Sequence, residues 1–410
     1  MTPADPGSNQ RANGKLRETV LGHKKIPIRR KEIMGFTLAE KERRHRAVQQ
    51  ILTTDNLQAL LLIGDTNVGE AFYGDYRYYT NNRINFQRGM ALIFPGSKSV
   101  LFVRSEFSRQ AAVRTSFMED CRISTNFIAD AVKLLKERGV SRGRVGINLE
   151  MLPAVWYIYL CRELPQIEWV ETHDRIMQIR IQRSQEEAEV FRKGAALGTG
   201  GFEAALKIIR PGISEQEIAA EIEYYSRARG AEGHFTLIGS GKFELGEKNA
   251  LPLPYTPSQR RIEIGDTIYL EITPQYEGYW TQLVRMVNVG KPNPDLEKIQ
   301  IVCRDALKRG LEEFKPGKRV MDVGLAMESY VRSCGYILKE PLGHICGLNL
   351  VEERPTLKNE RVLQPGMAMV IHPTVFTPDG KNYLFWGETY LIVQDGYERL
   401  HRTGDALLTI

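Results

Sequence analysis

Apolar and polar positions along this chain change period from block to block, and each block predicts an element. Residues 40–52 place apolar side chains at helical spacing, and 59–63 is a short unbroken apolar run of the kind a buried strand shows. Residues 90–94 and 99–103 flank Pro95-Gly96 as the arms of a hairpin, and a helical pattern at 129–137 precedes a strand at 145–148. This alternation predicts an α/β domain with its own core over residues 37–184, preceded by an arm of residues 1–36. The polar run from Arg180 opens a long helix, with Ser184 as N-cap and Glu187 three residues on. A second domain, 185–410, is placed after it, with helices to Lys207 and from Ser214 and a loop at 233–241.

Residues 265–285 read as one hairpin, a β-rich run to Thr273 that turns around Tyr276-Glu277-Gly278 and returns from Tyr279. With the reversal between Tyr276 and Glu277, Glu271 faces Gln282, Cβ to Cβ about 5 Å apart. The pattern recurs some hundred residues later. Gly366 to His372 repeats the step from Gly265 to Glu271, and Trp386-Gly-Glu388 answers Trp280-Thr-Gln282. Upstream, Pro211-Gly212 and Pro316-Gly317 each precede a helical pattern. Two half-domains of helix followed by hairpin are expected, with Glu271, Gln282, His372 and Glu388 converging where they meet.

Composition narrows the class without choosing the chemistry. The 410 residues carry 42% hydrophobic and 26% charged side chains and a formal charge of +6, as a water-soluble multidomain protein does. No apolar run approaches the ~20 residues of a membrane span, and residues 1–35 lack a signal-peptide core, so no membrane is expected and the cytoplasm is the default location. Five cysteines with no Cys-x-x-Cys pair suit reduced thiols. Lys24, Lys25, Arg29, Arg30 and Lys31 cluster without interleaved aromatics, so they read as a solvated arm and not a nucleic-acid site. The segment 73–83 is rich in tyrosine and arginine, which suits a recognition loop or an interdomain patch.

The order Arg-x-x-Arg-Ser-x-Glu-Glu at 180–187, the Gly265-Asp266 strand, Gly343-His344-x-x-Gly347, the Pro365-Gly366-Met367 strand and the final Glu388 strand resembles the creatinase, aminopeptidase P and prolidase family, the pita-bread fold. The resemblance runs from about residue 37 to the end. It implies an α/β N-terminal domain, an α+β catalytic domain with internal pseudo-twofold symmetry, and a homodimer in which the 73–83 segment lies near the partner's pocket.

The family's peptidases hold two metal ions through two aspartates, a histidine and two glutamates. Here those places carry Glu271, Gln282, His344, His372 and Glu388. The peptidases' histidine after an Ala-Leu-Pro step is Leu253 here, and the place of creatinase's catalytic glutamate is Val284. Two carboxylates, two neutral imidazoles and an amide supply too little negative charge for two divalent ions. They leave one ion (zinc, iron or manganese) on Glu271, Gln282, His344, His372 and Glu388, or none. Without metal, His344 and His372 titrating near neutrality would be the acid and base, with Glu271 and Glu388 holding them.

Gln282, Trp280, Trp386, Tyr390, His234 and Arg83 are the candidate substrate contacts; each aromatic or loop residue among them also fits simple packing. The expected function is a hydrolase or lyase that cleaves a C–N or related bond in a small polar molecule. The alternatives are a binding module that kept the fold, and an Xaa-Pro dipeptidase.

Overall fold

A computed structural model describes residues 32–33, 35–65, 72–84, 87–243 and 255–410. The basic cluster at 24–31 and the Ala-Leu-Pro-Leu step at 250–253 lie outside these residues.

The first domain is a six-stranded sheet flanked by helices. In chain order its elements are α1 (Leu38–Thr54), β1 (Ala59–Asp65), α2 (Gly74–Thr80), β2 (Arg88–Ile93), β3 (Val100–Val103), α3 (Glu106–Thr115), β4 (Asp120–Ile123), α4 (Phe127–Glu137), β5 (Arg142–Ile147), α5 (Ala154–Glu163), β6 (Gln166–Glu171) and α6 (His173–Arg180). The sheet order is β4-β3-β2-β1-β5-β6, and β1 is buried along its whole length because strands flank it on both sides. That explains its unbroken apolar run.

The segment 73–83 is not an exposed loop. It forms α2, with Tyr76 and Tyr78 fully buried in the core. Arg77 pairs with Glu232 at 3.0 Å, and Arg83 donates to the Glu232 carbonyl at 2.7 Å. Its arginines join the two domains of the chain. Tyrosines in a seven-residue helix bury like core residues, and composition alone could not distinguish that from a recognition loop.

The second domain comprises α7 (Gln185–Leu206), α8 (Glu215–Arg227), β7 (Gly233–Lys242), β8 (Asp266–Tyr276), β9 (Tyr279–Trp280), β10 (Leu283–Asn288), α9 (Pro294–Glu313), α10 (Val320–Ser333), β11 (Gly343–Ile345), β12 (Ala368–Ile371) and β13 (Gly387–Val393), with further short strands. Ser184 caps α7 and Ser214 caps α8, each in a reciprocal box with the glutamate three residues on. The residues at 233–241, expected as a loop, are strand β7, paired along its full length with β8. The glycines at 239 and 241 mask a pattern that cross-strand pairing stabilises.

The spine of the nine-stranded sheet runs β7-β8-β10-β13-β12-β11, antiparallel throughout. Its two halves, each preceded by a helix pair, meet where Leu283 of β10 lies opposite Glu388 of β13. This is the repeat expected from the sequence.

The register of the first hairpin differs from the expected one. Glu277 and Gly278 alone form the turn, both at positive φ (48° and 85°), so Tyr276 pairs with Tyr279 and Glu271 sits opposite Val284. A two-residue turn of this kind matches the strand twist and requires left-handed backbone at both positions. Gln282 is thereby displaced two residues from the place facing Glu271. It falls just before β10.

Candidate active site

The glycines that precede two of the pocket residues are set by close strand approach. A Cβ at Gly343 would overlap the Val370 carbonyl, and one at Gly387 would overlap the Ile371 carbonyl. Only glycine lets β11 and β13 come this near β12, and that approach carries His344 and Glu388 into the seam.

Glu388 is fully buried, and its charge is already matched. Arg285 of β10 and Arg399 each donate to it, and the Tyr390 hydroxyl donates at 3.1 Å. Arg285 is buried in turn, with its guanidinium carbon 4.6 Å from the Trp386 ring centroid. It also donates to the Val284 carbonyl at 2.7 Å and the Gly387 carbonyl at 3.0 Å. Arg399 continues to Asp405 at 2.7 Å. Glu388 was expected as a metal ligand or a support for an imidazole; here two guanidiniums and a phenol take up its oxygens, and among the described residues no hydrogen bond joins it to His344 or His372.

His344 and His372 do come together, with ring centroids 6.2 Å apart at 70°. His344 Nε2 lies 2.7 Å from Gln282 Oε1, so with the amide in that orientation the ring donates through Nε2 and keeps Nδ1 as an acceptor. Burial, followed by the neighbouring His372, pushes His344 down to about 3. Burial pushes His372 down to about 4. Both shifts favour the neutral imidazole at neutral pH, where titrating rings were expected.

The group that titrates near neutrality is Glu271. It is half-buried, no ion pair or hydrogen bond of its carboxylate is found among the described residues, and burial raises its pKa to about 7. An aromatic chain links its strand to the histidines: Tyr269, two residues before it on the same strand face, stacks on Phe385 at 5.6 Å, and Phe385 meets His372 at 5.6 Å. Arg354, exposed and without an ion-pair partner, is the cation whose field reaches both imidazoles.

The remaining candidates separate. Tyr390 and Trp386 are buried and serve the Glu388 and Arg285 pair. Trp280 is buried against Phe235 at 5.8 Å, and its backbone amide donates to Gly347, three residues past His344. His234 bonds Thr236 at 3.1 Å and joins no member of the cluster; burial pushes it to about 3. Arg83 is an interdomain contact. Sequence reasoning passed over Arg285, Arg399 and Arg354. The first had a signal, since a lone arginine in the apolar run Leu283-Val284-Arg285-Met286-Val287 of a central strand demands a buried counter-charge.

The donor set does not fit the metal centre that the family resemblance implies. Of the five positions, one carboxylate is neutralised by arginine, one favours its protonated form up to about pH 7, and one is an amide. Among the described residues no group of three or more His, Cys, Asp or Glu is arranged to hold an ion. Nor is any helix among them long and apolar enough to cross a membrane.

Comparison with known proteins agrees with this architecture. The profile of metallopeptidase family M24 matches residues 189–394, and that of the creatinase/prolidase N-terminal domain matches 44–182. The chain is 31% identical over 246 residues to an Xaa-Pro dipeptidase of Pyrococcus furiosus, covering 59% of this chain and 69% of the dipeptidase. It is 27% identical over 367 residues to a creatinase of a Bacillus species, covering 84% and 86%. The X-Pro aminopeptidase structure from Thermotoga maritima superposes with a TM-score of 0.78 at 22% identity, over 89% of this chain and 99% of that one. The chain belongs to the M24 family. It is a hydrolase of the creatinase and prolidase kind.

Proposed function

We propose that the pocket cleaves a C–N bond in a small polar molecule by proton transfer, with Glu271 as the group that moves the proton. What supports the reading is that the half-buried Glu271 carboxyl has no hydrogen bond or ion pair among the described residues and that burial raises its pKa to about 7, near the value a general acid and base needs at neutral pH. As carboxylate it takes a proton from the attacking water while the water oxygen bonds to the substrate carbon. As acid it returns that proton to the nitrogen as the C–N bond breaks, so one group serves both halves of the reaction. His344 and His372, held neutral, supply hydrogen bonds to the substrate without competing for its proton, and Gln282 fixes the His344 tautomer. Arg354 supports a substrate that carries an anionic group beside the scissile bond. No step passes through a metal ion.

The test is turnover of a panel of Xaa-Pro dipeptides, small amides and guanidines, with and without chelator. The reading predicts turnover that survives chelation and falls by about 10²- to 10⁴-fold in Glu271→Gln. Turnover that requires added divalent ion and survives that substitution would overturn it.

We also infer a homodimer. What supports it is the exposure of large apolar side chains on the first domain, Phe107 at 89%, Val155 at 69% and Ile158 at 66%. Light scattering that finds an active monomer at micromolar concentration would refute it.

A further inference from the structure

A cavity lies between the two domains, lined by neither imidazole of the pair. It measures about 800 Å³, within the roughly 300–1,000 Å³ typical of small-molecule sites, which also favour domain boundaries. Its apolar wall comes from Phe72, Met151 and Met177 of the first domain and Val351 of the second.

His173 faces this cavity with one nitrogen committed. Its Nδ1 lies 2.7 Å from Asp75 Oδ2 and 3.1 Å from Asn148 Nδ2, and Asp75 is itself ion-paired to Arg180 at 2.9 Å. No partner is found for its Nε2. The hydrogen bond to Asp75 holds the imidazole above its usual pKa, which favours the charged ring.

The charges lining the cavity divide into matched and unmatched ones. Glu352 is clamped by Arg180 at 2.9 Å and Arg183 at 2.6 Å, and Glu353 is paired with Arg361. Arg354, Glu150 and Asp174 are exposed, line the cavity and have no ion-pair partner among the described residues. His173 is paired with Asp75 through Nδ1 and keeps Nε2 for a further contact. The lining thus offers a guanidinium and an imidazole N–H to an anionic group and two carboxylates to a cationic one.

We propose that this cavity is a second small-molecule site, for an amino-acid-like zwitterion with an apolar side chain. Its carboxylate is met by Arg354 and His173, its ammonium by Glu150 and Asp174, and its side chain by Phe72, Met151, Met177 and Val351. None of Glu271, Gln282, His344, His372 or Glu388 lines it, and Arg354 is the residue that the two sites share.

The experiment is calorimetric titration of the full chain with leucine and with its two singly charged relatives, 4-methylpentanoate, which lacks the ammonium, and isopentylamine, which lacks the carboxylate. Saturable leucine binding, weaker binding of both relatives, and a loss of roughly threefold in each of Asp174→Asn and Glu150→Gln are expected, the size of a rim charge contact. Both substituted residues are exposed, so the variants should fold. His372→Ala should bind leucine as the unsubstituted chain does. Failure of leucine and every other free amino acid to bind overturns the proposal, as does 4-methylpentanoate binding as tightly as leucine. Binding that disappears in His372→Ala but survives Asp174→Asn assigns the ligand to the imidazole pocket and also overturns it.

Discussion

The Arg285 guanidinium reaches across the seam of the two half-sheets to the Glu388 carboxylate, with both side chains about 1% exposed. The last acidic position of the pocket is thereby part of a buried ion pair, and a substrate or cation would have to displace arginine to use it. Burying both charges is tolerable because Arg399, Tyr390 and two backbone carbonyls add hydrogen bonds to the pair, although Arg285 Nε has no partner among the described residues.

Removing one member should therefore be costly. Arg285→Met is expected to destabilise the fold by about 3 kcal/mol, since it strands a buried carboxylate that keeps only Arg399 as a cation. The double variant Arg285→Met, Glu388→Met should recover most of that loss. Urea unfolding of the three variants checks this, and a single variant as stable as the unsubstituted chain would show that the pair is not intact in solution.

Glu271 gives a pH signature in stability as well as in turnover. Its folded-state pKa of about 7 lies above the ordinary 4.5, so the neutral acid is the form the fold favours. The associated stability is fully present below pH 4.5 and is lost as pH rises through about 7, by at most about 3 kcal/mol. Glu271→Gln should flatten that part of the profile and be the more stable protein at pH 8. An unchanged slope in unfolding free energy between pH 5 and 8 would contradict the assignment.

Much of this was legible in the sequence. The Pro-Gly breaks at 211–212 and 316–317 and the two Gly-to-ligand steps gave the repeat, because both rest on local rules of spacing. The five pocket positions followed from the resemblance, and the structure brings His344, His372 and Gln282 into one cluster. What could not be read was pairing at a distance. Nothing near Glu388 in the chain announces that Arg285 and Arg399 converge on it, since the nearer is 11 residues away and the other 103. The protonation order was hidden for the same reason. Whether a carboxyl or an imidazole titrates near neutrality depends on the depth of burial of each, which the sequence does not contain. The hairpin register turned on a single choice, whether Glu277 could take a positive φ beside Gly278.

Gln282 sets the tautomer of His344. Gln282→Asp places a carboxylate beside Nε2 and should raise the imidazole from about 3 by roughly 1–3 pH units. It should also increase affinity for divalent ions, because it restores one negative charge to the pocket. Titration of the histidine ring protons by NMR measures the first effect, and an unmoved His344 would mean that the contact does not persist in solution.

His372 should matter to turnover in either direction of substitution. His372→Ala removes a hydrogen-bonding imidazole from the pocket, and a fall of about 10²- to 10⁴-fold is expected if it contacts the reacting group. His372→Glu should not produce Xaa-Pro dipeptidase activity, since it leaves Gln282 in place and Glu388 bound to arginine. Native turnover within about tenfold after His372→Ala would remove this residue from the reaction.

The most direct test of the central claim is metal stoichiometry. The purified chain would be equilibrated with zinc, then with manganese and with iron, desalted, and analysed by inductively coupled plasma mass spectrometry alongside Gln282→Asp. With Glu388 held by Arg285 and Arg399 and Glu271 favouring its acid form, the unsubstituted chain should retain no stoichiometric ion, and less than Gln282→Asp. Two tightly held ions per chain, lost together with turnover on chelation, would contradict the account.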